Sequence, residues 1–372
     1  MVNDVSRAYM YALCDEDIYV ELCEEDRVPG EEHLCGKLIK AMHGTRTAAR
    51  MWQREVAGSL GAAGFSAGRT SPCLFHHKDR DIMVFLHGDD FVSSGSPENL
   101  SWLKGVLGSK YCIKTTMIGE DIKYEKQVRV LNRLVKWWPG EGVTIEADPR
   151  HVEILIESVE VQNEKALKIT GEKDTGDAEG AGEGLEASKT SKFRSDVARL
   201  NYLAADRPDV MFAVKELARK MSCPTAKDAE RVRRLVRYLK GKPRAVAWYR
   251  YQDDPGRVDG FTDSDWAGCR ATRRSTSGGC ILYGSHYLKG WSKTQSARAL
   301  SSAEAELYGI VKMSAEVMGI MSMYKDFGKT VAGHILCDAN AALGVIRRKG
   351  VGKIRHLDTA FLWAQEKMRT RS

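Results

Sequence analysis

Apolar residues fall in short runs whose spacing changes along the chain. Asp4-Val5-Ser6-Arg7-Ala8-Tyr9 reads as a strand end turning into a short helix, and Ile18-Tyr19-Val20-Glu21-Leu22 as a strand. Leu34 to Leu60 is helical in character with Gly44 as an interruption, and Trp52, Val56 and Leu60 recur on one face. Cys73-Leu74-Phe75-His76 pairs naturally with the β-rich run Ile82 to Leu86 across the charged turn Lys78-Asp79-Arg80. A break at His87-Gly88 and a resumed strand at Phe91-Val92 then predict a β-hairpin whose turn carries Asp89 and Asp90. With a helix from Pro97 to Leu107 after it, the order predicts an α+β unit.

Residues 110–170 alternate short β-like and helical runs, with Trp137-Trp138-Pro139-Gly140 as a hydrophobic turn and a helix over His151 to Val161. Residues 171–191 are rich in Gly, Ala, Glu, Asp, Ser and Thr without an aromatic, the composition of a disordered linker. Pro208 opens a helix striped by Val210, Val214, Leu217 and Met221. Asp228 to Leu239 is another, with Val232, Leu235, Val236 and Leu239 on one face and Arg231, Arg233, Arg234, Arg237 and Lys240 on the other. From about Arg257 strands return at Gly260–Asp263, Gly279–Tyr283 and His286–Leu288. Ser301-Ser302-Ala303-Glu304 is a capping box opening a helix to about Tyr324. A strand at His334–Asp338 and helices at Ala339–Arg347 and Thr359–Met368 complete an α/β pattern.

Composition narrows the class. The 372 residues suffice for two or three domains, and 43% hydrophobic content is ordinary for a globular chain. No apolar run approaches a membrane span, and the N-terminus lacks the apolar segment of a signal peptide. Nine cysteines without a Cys-x-x-Cys argue against a disulfide framework or a zinc site, and for an intracellular, reducing location. Charge is unevenly placed: residues 192–250 hold 16 Lys and Arg against 6 Asp and Glu, whereas residues 15–32 hold nine acids against Arg27 alone. Such asymmetry fits one face turned to nucleic acid, and a solvated helix pair explains it as well.

The acids carry the candidate chemistry. Two carboxylates ~4 Å apart repel by about 4 kcal/mol at an effective dielectric near 20, so Asp89 and Asp90 call for a cation. Mg2+ takes one or two carboxylates plus substrate phosphates, which suits nucleotidyl transfer, although Gly and Asp also make ordinary solvated turns. Asp263 and Asp338 each close a predicted strand, and Glu306 lies between them on the helix face of Ile310, Met313 and Val317. Three acids from separate elements suit two-metal hydrolysis of a phosphodiester. Period-two geometry leaves Asp263 and Asp265 equivalent, and Glu304 sits further round as a cap.

The motifs, taken in order, give a specific resemblance over nearly the whole chain, weakest at 120–190. Asp4-Val5-Ser6-Arg7-Ala8-Tyr9-Met10-Tyr11, Met42-His43-Gly44-Thr45-Arg46-Thr47-Ala48-Ala49-Arg50-Met51-Trp52, Ser71-Pro72-Cys73-Leu74-Phe75 and His87-Gly88-Asp89-Asp90 resemble the reverse transcriptase of copia-type LTR retrotransposon pol polyproteins. Thr262-Asp263-Ser264-Asp265-Trp266-Ala267-Gly268, Arg274-Ser275-Thr276-Ser277-Gly278, Leu300-Ser301-Ser302-Ala303-Glu304-Ala305-Glu306, Cys337-Asp338-Ala339-Asn340 and His356-Leu357-Asp358 resemble its ribonuclease H.

The resemblance implies an α+β reverse-transcriptase palm remnant at 1–120, a thumb-like or unassigned region at 121–170 and, after the linker read from composition at 171–191, a basic helical connection at 192–250 and an α/β ribonuclease H-like domain at 256–372. Asp4, Asp89 and Asp90 would hold two Mg2+ for nucleotide addition, with Tyr9 and Gly44 at the nucleotide. Asp263, Glu306 and Asp338 would hold two more for cutting RNA in an RNA–DNA hybrid. Arg231, Arg234, Arg237 and Lys240 would contact nucleic acid, and the partners are RNA template, DNA and hybrid. His87-Gly88 stands where the family has Tyr-Val, and Thr47 and Ala49 where it has Gln and Pro. The family's fingers strands before Asp4, and its last ribonuclease H strand and helix, have no counterpart here, so impaired polymerisation is expected. A non-catalytic remnant that only binds nucleic acid is the alternative.

Overall fold

The computed structural model describes residues 1–30, 33–171, 184–350, 352 and 362–370. The chain divides into two compact units, one formed by residues 1–130 with 322–330 and the other by 131–321 with 331–372.

The first unit is built on a six-stranded sheet ordered Ser66–Ala67, Leu74–His77, Ile82–His87, Asp90–Ser94, Val2–Val5, Ile113–Thr116. Every neighbouring pair is antiparallel. Alternation along the strands buries Ile82, Val84, Leu86, Phe91 and Val5 on one face. The helices Ala48–Ala62 and Pro97–Gly108 supply the facing stripe, Trp52, Val56 and Leu60 from the first and Leu100, Leu103 and Leu107 from the second. Ser96 caps the second helix through the Asn99 N–H at 3.3 Å, with Pro97 just inside its start.

The helical reading of Leu34 to Leu60 holds only from Ala48. Cys35–Lys37 is instead a short strand paired with Tyr19–Glu21. The acids before it are held locally: Asp15 pairs with Arg50 and Arg54, Asp17 with Lys37, and Glu21 with Arg27.

The second unit begins with the antiparallel strands Arg133–Trp138, Gly142–Ala147 and Ala247–Arg250. Trp137 and Trp138 end the first of these strands, half-buried, and Trp138 Nε1 donates to Thr144 Oγ1 at 3.0 Å. Four helices follow, Arg150–Val159, Ala187–Ala204, Met211–Ala218 and Ala226–Gly241, around a core that includes Leu155, Val197, Leu200, Val214, Leu235 and Leu239. Residues 172–183 of the expected linker lie outside the described residues, but its end is helical from Ala187. Phe193, Val197 and Leu200 bury a face there, and that burial overrides the polar composition. Between the second and third helices Arg207, 2% exposed, forms a two-pronged bond to Asp209 at 2.9 and 2.8 Å, and Tyr238 donates to the same carboxylate at 2.8 Å.

The remainder of this unit is an α/β sheet ordered His286–Thr294, Thr276–Tyr283, Arg257–Ser264, Ala332–Leu336. The first three strands are antiparallel neighbours, and the last runs parallel to Arg257–Ser264 after the helix Ser302–Asp326. The helices Asn340–Arg347 and Trp363–Thr370 follow, and residues 359–361 of the helix expected from Thr359 lie outside the described residues. His356-Leu357-Asp358 lies outside the described residues. No helix among the described residues is long and apolar enough to cross a membrane.

Candidate functional site

Each unit carries one group of acids. In the first, the strand register opposes Asp4 directly to Asp90, after the pairs Val2↔Val92 and Asn3↔Phe91. Asn3, Val5 and Phe91 point into the core, so alternation turns Asp4 and Asp90 together to the open face. The hairpin reverses at Gly88-Asp89 with His87 opposite Asp90, and Gly88 takes a φ of 62° there, which glycine tolerates without steric cost. Two hydrogen bonds from other elements hold that turn: Trp52 Nε1 donates to the Gly88 carbonyl at 2.7 Å, and the Val5 N–H donates to the Asp89 carbonyl at 3.1 Å.

Burial first, then the charges of Asp89 and Asp4, push the Asp90 carboxyl above its ordinary value, with His87 working against them. Among the described residues no Lys, Arg or His lies within ion-pair distance of these three acids. The donors are all oxygen, with His87 opposite Asp90 and Lys114 opposite Asp4 in the strand register, and such a donor set fits a hard divalent cation.

Tyr9 sits in the short 3-10 helix Ala8–Tyr11, half-buried and edge-on to His43 with ring centres 4.5 Å apart. It packs against the cluster of Ala12, Ala41, Ala48 and Met51. Gly44 is exposed in the loop before Ala48–Ala62, with a φ of 87°.

In the second unit, Asp263 stands at the exposed face of the strand Arg257–Ser264, and Asp338 two residues past the end of its parallel neighbour Ala332–Leu336. Glu306, 7% exposed, lies in the first turns of the helix Ser302–Asp326, and its Oε1 accepts the Ser264 N–H at 3.0 Å. Glycine lets the helix come this close: a Cβ on Gly309 would stand 2.8 Å from both Ser264 Oγ and Thr262 Oγ1. Burial, and then the charges of Asp263 and Asp338, push the Glu306 carboxyl up despite the Ser264 bond.

The neighbours left open by periodicity now separate. Asp265 lies beyond the strand, where its Oδ1 takes the Thr276 N–H, leaving Asp263 as the strand-face acid. Glu304 caps its helix, its Oε2 accepting the Leu300 N–H at 3.0 Å while its own N–H donates to Ser301 Oγ at 3.2 Å. A cleft of about 590 Å³ opens beside the centre, lined among others by Phe261, Asp263, Cys280, Cys337 and Asp338. No Lys, Arg or His among the described residues pairs with Asp263, Glu306 or Asp338.

Sequence reasoning did not single out Cys337. Its sulfur and one carboxylate oxygen each of Glu306 and Asp338 all lie within 4.8 Å of one another. Its position immediately before Asp338 was the available signal.

The basic helix Ala226–Gly241 is turned largely to its own chain. Arg233 donates to the Val159 carbonyl at 3.1 Å and pairs with Glu164, and Arg237 donates to the Lys165 carbonyl at 2.9 Å. Lys240 reaches the carbonyls of Val161, Gln162 and Glu164, and Arg231 pairs with Asp228 at 3.2 Å.

The chain is similar to known proteins over most of its length. Residues 2–122 match the family model described as reverse transcriptase (RNA-dependent DNA polymerase). The chain is 24% identical over 378 residues to the retrovirus-related Pol polyprotein from transposon TNT 1-94 of Nicotiana tabacum, covering 98% of this chain and 27% of that protein. It is 26% identical over 332 residues to the corresponding polyprotein from transposon RE1 of Arabidopsis thaliana, covering 87% and 22%. The chain thus spans about a quarter of the length of these curated relatives. Among solved structures, a foamy viral protease–reverse transcriptase in complex with double-stranded DNA superposes with a TM-score of 0.53 at 10% identity, over 99% of this chain and 54% of that one. That likeness shows a reverse-transcriptase-like mixed α and β fold. With relatives matched over nearly its whole length, the chain resembles the copia-type, retrovirus-related Pol polyproteins of transposons.

Proposed function

We propose that the chain carries two nucleic-acid activities of the polyproteins it resembles, an impaired RNA-directed DNA synthesis in the first unit and hydrolysis of RNA in an RNA–DNA hybrid in the second. The observation that supports this reading is that Asp4 opposes Asp90 across paired strands in the first unit, while in the second Glu306 feels the charges of Asp263 and Asp338. Asp4, Asp89 and Asp90 would hold Mg2+ in the first and Asp263, Glu306 and Asp338 in the second. When bound, Mg2+ supplies charge neutralisation and lowers the pKa of an attacking oxygen.

The chain's own residues aim these carboxylates. Trp52 and Val5 fix the turn that presents Asp89 and Asp90, and the Ser264 N–H holds the Glu306 carboxylate, which stands in one group with Asp338. Tyr9 and Gly44 are assigned to the incoming nucleotide by family position. The substrates are a primed RNA template and the hybrid made from it, and a relative by fold was solved with duplex DNA. Arg231, Arg234, Arg237 and Lys240 serve such partners through the positive field of their helix, since Arg231, Arg237 and Lys240 already contact their own chain.

The test is the full chain in Mg2+ with a labelled hybrid duplex and a primed RNA template. Hybrid cleavage abolished by Asp338→Asn, and at most weak primer extension that Asp90→Asn abolishes, are the expected results. Hybrid binding without Mg2+-dependent cleavage or extension overturns the reading in favour of a non-catalytic binding protein.

A further inference from the structure

The second centre differs from an all-oxygen site by one atom, the sulfur of Cys337. It belongs to a compact three-donor group with Glu306 and Asp338, all three ligand atoms within 4.8 Å of one another. Donors bound to one tetrahedral ion at 2.0–2.3 Å stand roughly 3.6 Å apart, so side-chain adjustments of about 1 Å would close the group on a single cation. Adjacent residues of a regular strand point to opposite sides, but the strand ends at Leu336, so Cys337 and Asp338 escape that alternation and serve one centre.

Two further observations make the sulfur a candidate ligand. The Ala339 N–H donates to Cys337 Sγ at 3.4 Å, fixing the sulfur beside the two carboxylates. Glu306 is 7% exposed, has no cationic partner among the described residues, and is aimed into the group, with the Cys337 thiol donating to its Oε2 at 3.6 Å. Mg2+ draws little from a thiol, whereas thiophilic divalent ions bind thiolate and carboxylate together.

We propose that Glu306, Cys337 and Asp338 form a mixed sulfur–oxygen site for a thiophilic divalent cation, with Zn2+ as the physiological occupant, that competes with Mg2+ for the second centre and thereby inhibits it. Binding exchanges the thiol proton for the metal, and no oxidant or reductant is involved. The inhibition rests on the ribonuclease reading given above; the binding does not.

The experiment titrates the full chain with Cd2+ as probe and follows the ultraviolet thiolate-to-cadmium charge-transfer band, then displaces Cd2+ with Zn2+ and with excess Mg2+. One tight equivalent is expected, displaced by Zn2+ and weakly by Mg2+. Cys337→Ser should remove the tight band, and Asp338→Asn should weaken binding about 10- to 100-fold. Cys280→Ser, which removes another thiol lining the cleft, should retain the band. A tight band that survives in Cys337→Ser, or a wild-type chain that shows none, overturns the site. Hybrid cleavage in Mg2+ is measured separately. A band dependent on Cys337 in a chain that never cleaves hybrid leaves the site standing and removes the ribonuclease reading. Cleavage in Mg2+ that Zn2+ inhibits equally in wild type and Cys337→Ser overturns the regulatory claim.

Discussion

Asp4 and Asp90 face each other as direct partners across two antiparallel strands, a pairing that costs free energy until a cation lies between them. Like charges placed opposite each other destabilise a strand pair by roughly 0.2–1 kcal/mol. Asp4→Asn should therefore stabilise the metal-free protein by about that amount, measured by urea unfolding. It should also return the Asp90 carboxyl toward its ordinary value. A less stable variant would show that the two charges do not oppose each other.

The raised Asp90 carboxyl has a definite pH consequence. The folded state binds its proton more tightly than the unfolded state, so stability falls as pH rises from the unfolded value of about 3.8 through the folded one. Mg2+ that binds only the folded form should reverse this loss at neutral pH. Thermal unfolding with and without Mg2+ checks it, and Asp90→Asn should abolish most of the Mg2+ shift from the first unit.

Glu306 imposes the same sign on the second centre. Its pKa lies above the carboxylate value of 4.5, so metal binding there should weaken as pH falls through that raised value. Titrating hybrid cleavage with Mg2+ across pH is the measurement. Glu306→Gln should reduce Mg2+ affinity at least about 10- to 100-fold and flatten the acid limb.

Gly279 lies opposite Trp291 in the antiparallel pair, and a Cβ on it would stand 2.1 Å from the indole ring. Gly279→Ala should destabilise the chain by about 1–3 kcal/mol in urea through overpacking. An unchanged midpoint would mean that Trp291 does not cover this position in solution.

Asp209 behaves in the opposite sense to Glu306. Burial raises its carboxyl, but the Arg207 and Tyr238 hydrogen bonds outweigh burial and hold it below 3.8. Its contribution is present above that unfolded value and is lost as pH falls through the depressed one. Asp209→Ala leaves the buried Arg207 uncompensated and should cost about 3–5 kcal/mol, with the acid unfolding midpoint moved upward.

The parts of this fold legible in the sequence were those set by neighbours in the chain. The hairpin around Gly88 follows from β-rich runs and a turn glycine, and the inward aim of Glu306 follows from helical spacing to Ile310 and Met313. Long-range packing hid the rest. Residues 34–47 carry apolar positions, yet Cys35–Lys37 finds its partner in Tyr19–Glu21 rather than in a helix. The helix from Ala187 depends on burying Phe193 and Val197 against a distant core, which composition alone does not reveal. The face of Arg237 and Lys240 reads as free charge until the carbonyls of residues 161–165 are placed beneath it. The end of the strand at Leu336, which frees Cys337 and Asp338 from strict alternation, is likewise not set by neighbours in the chain.

The parallel pairing of Arg257–Ser264 with Ala332–Leu336 has a temporal side. A ribosome delivers the donor Asp263 first, Glu306 later and Asp338 last. The second centre therefore cannot assemble until the closing strand has left the exit tunnel and docked.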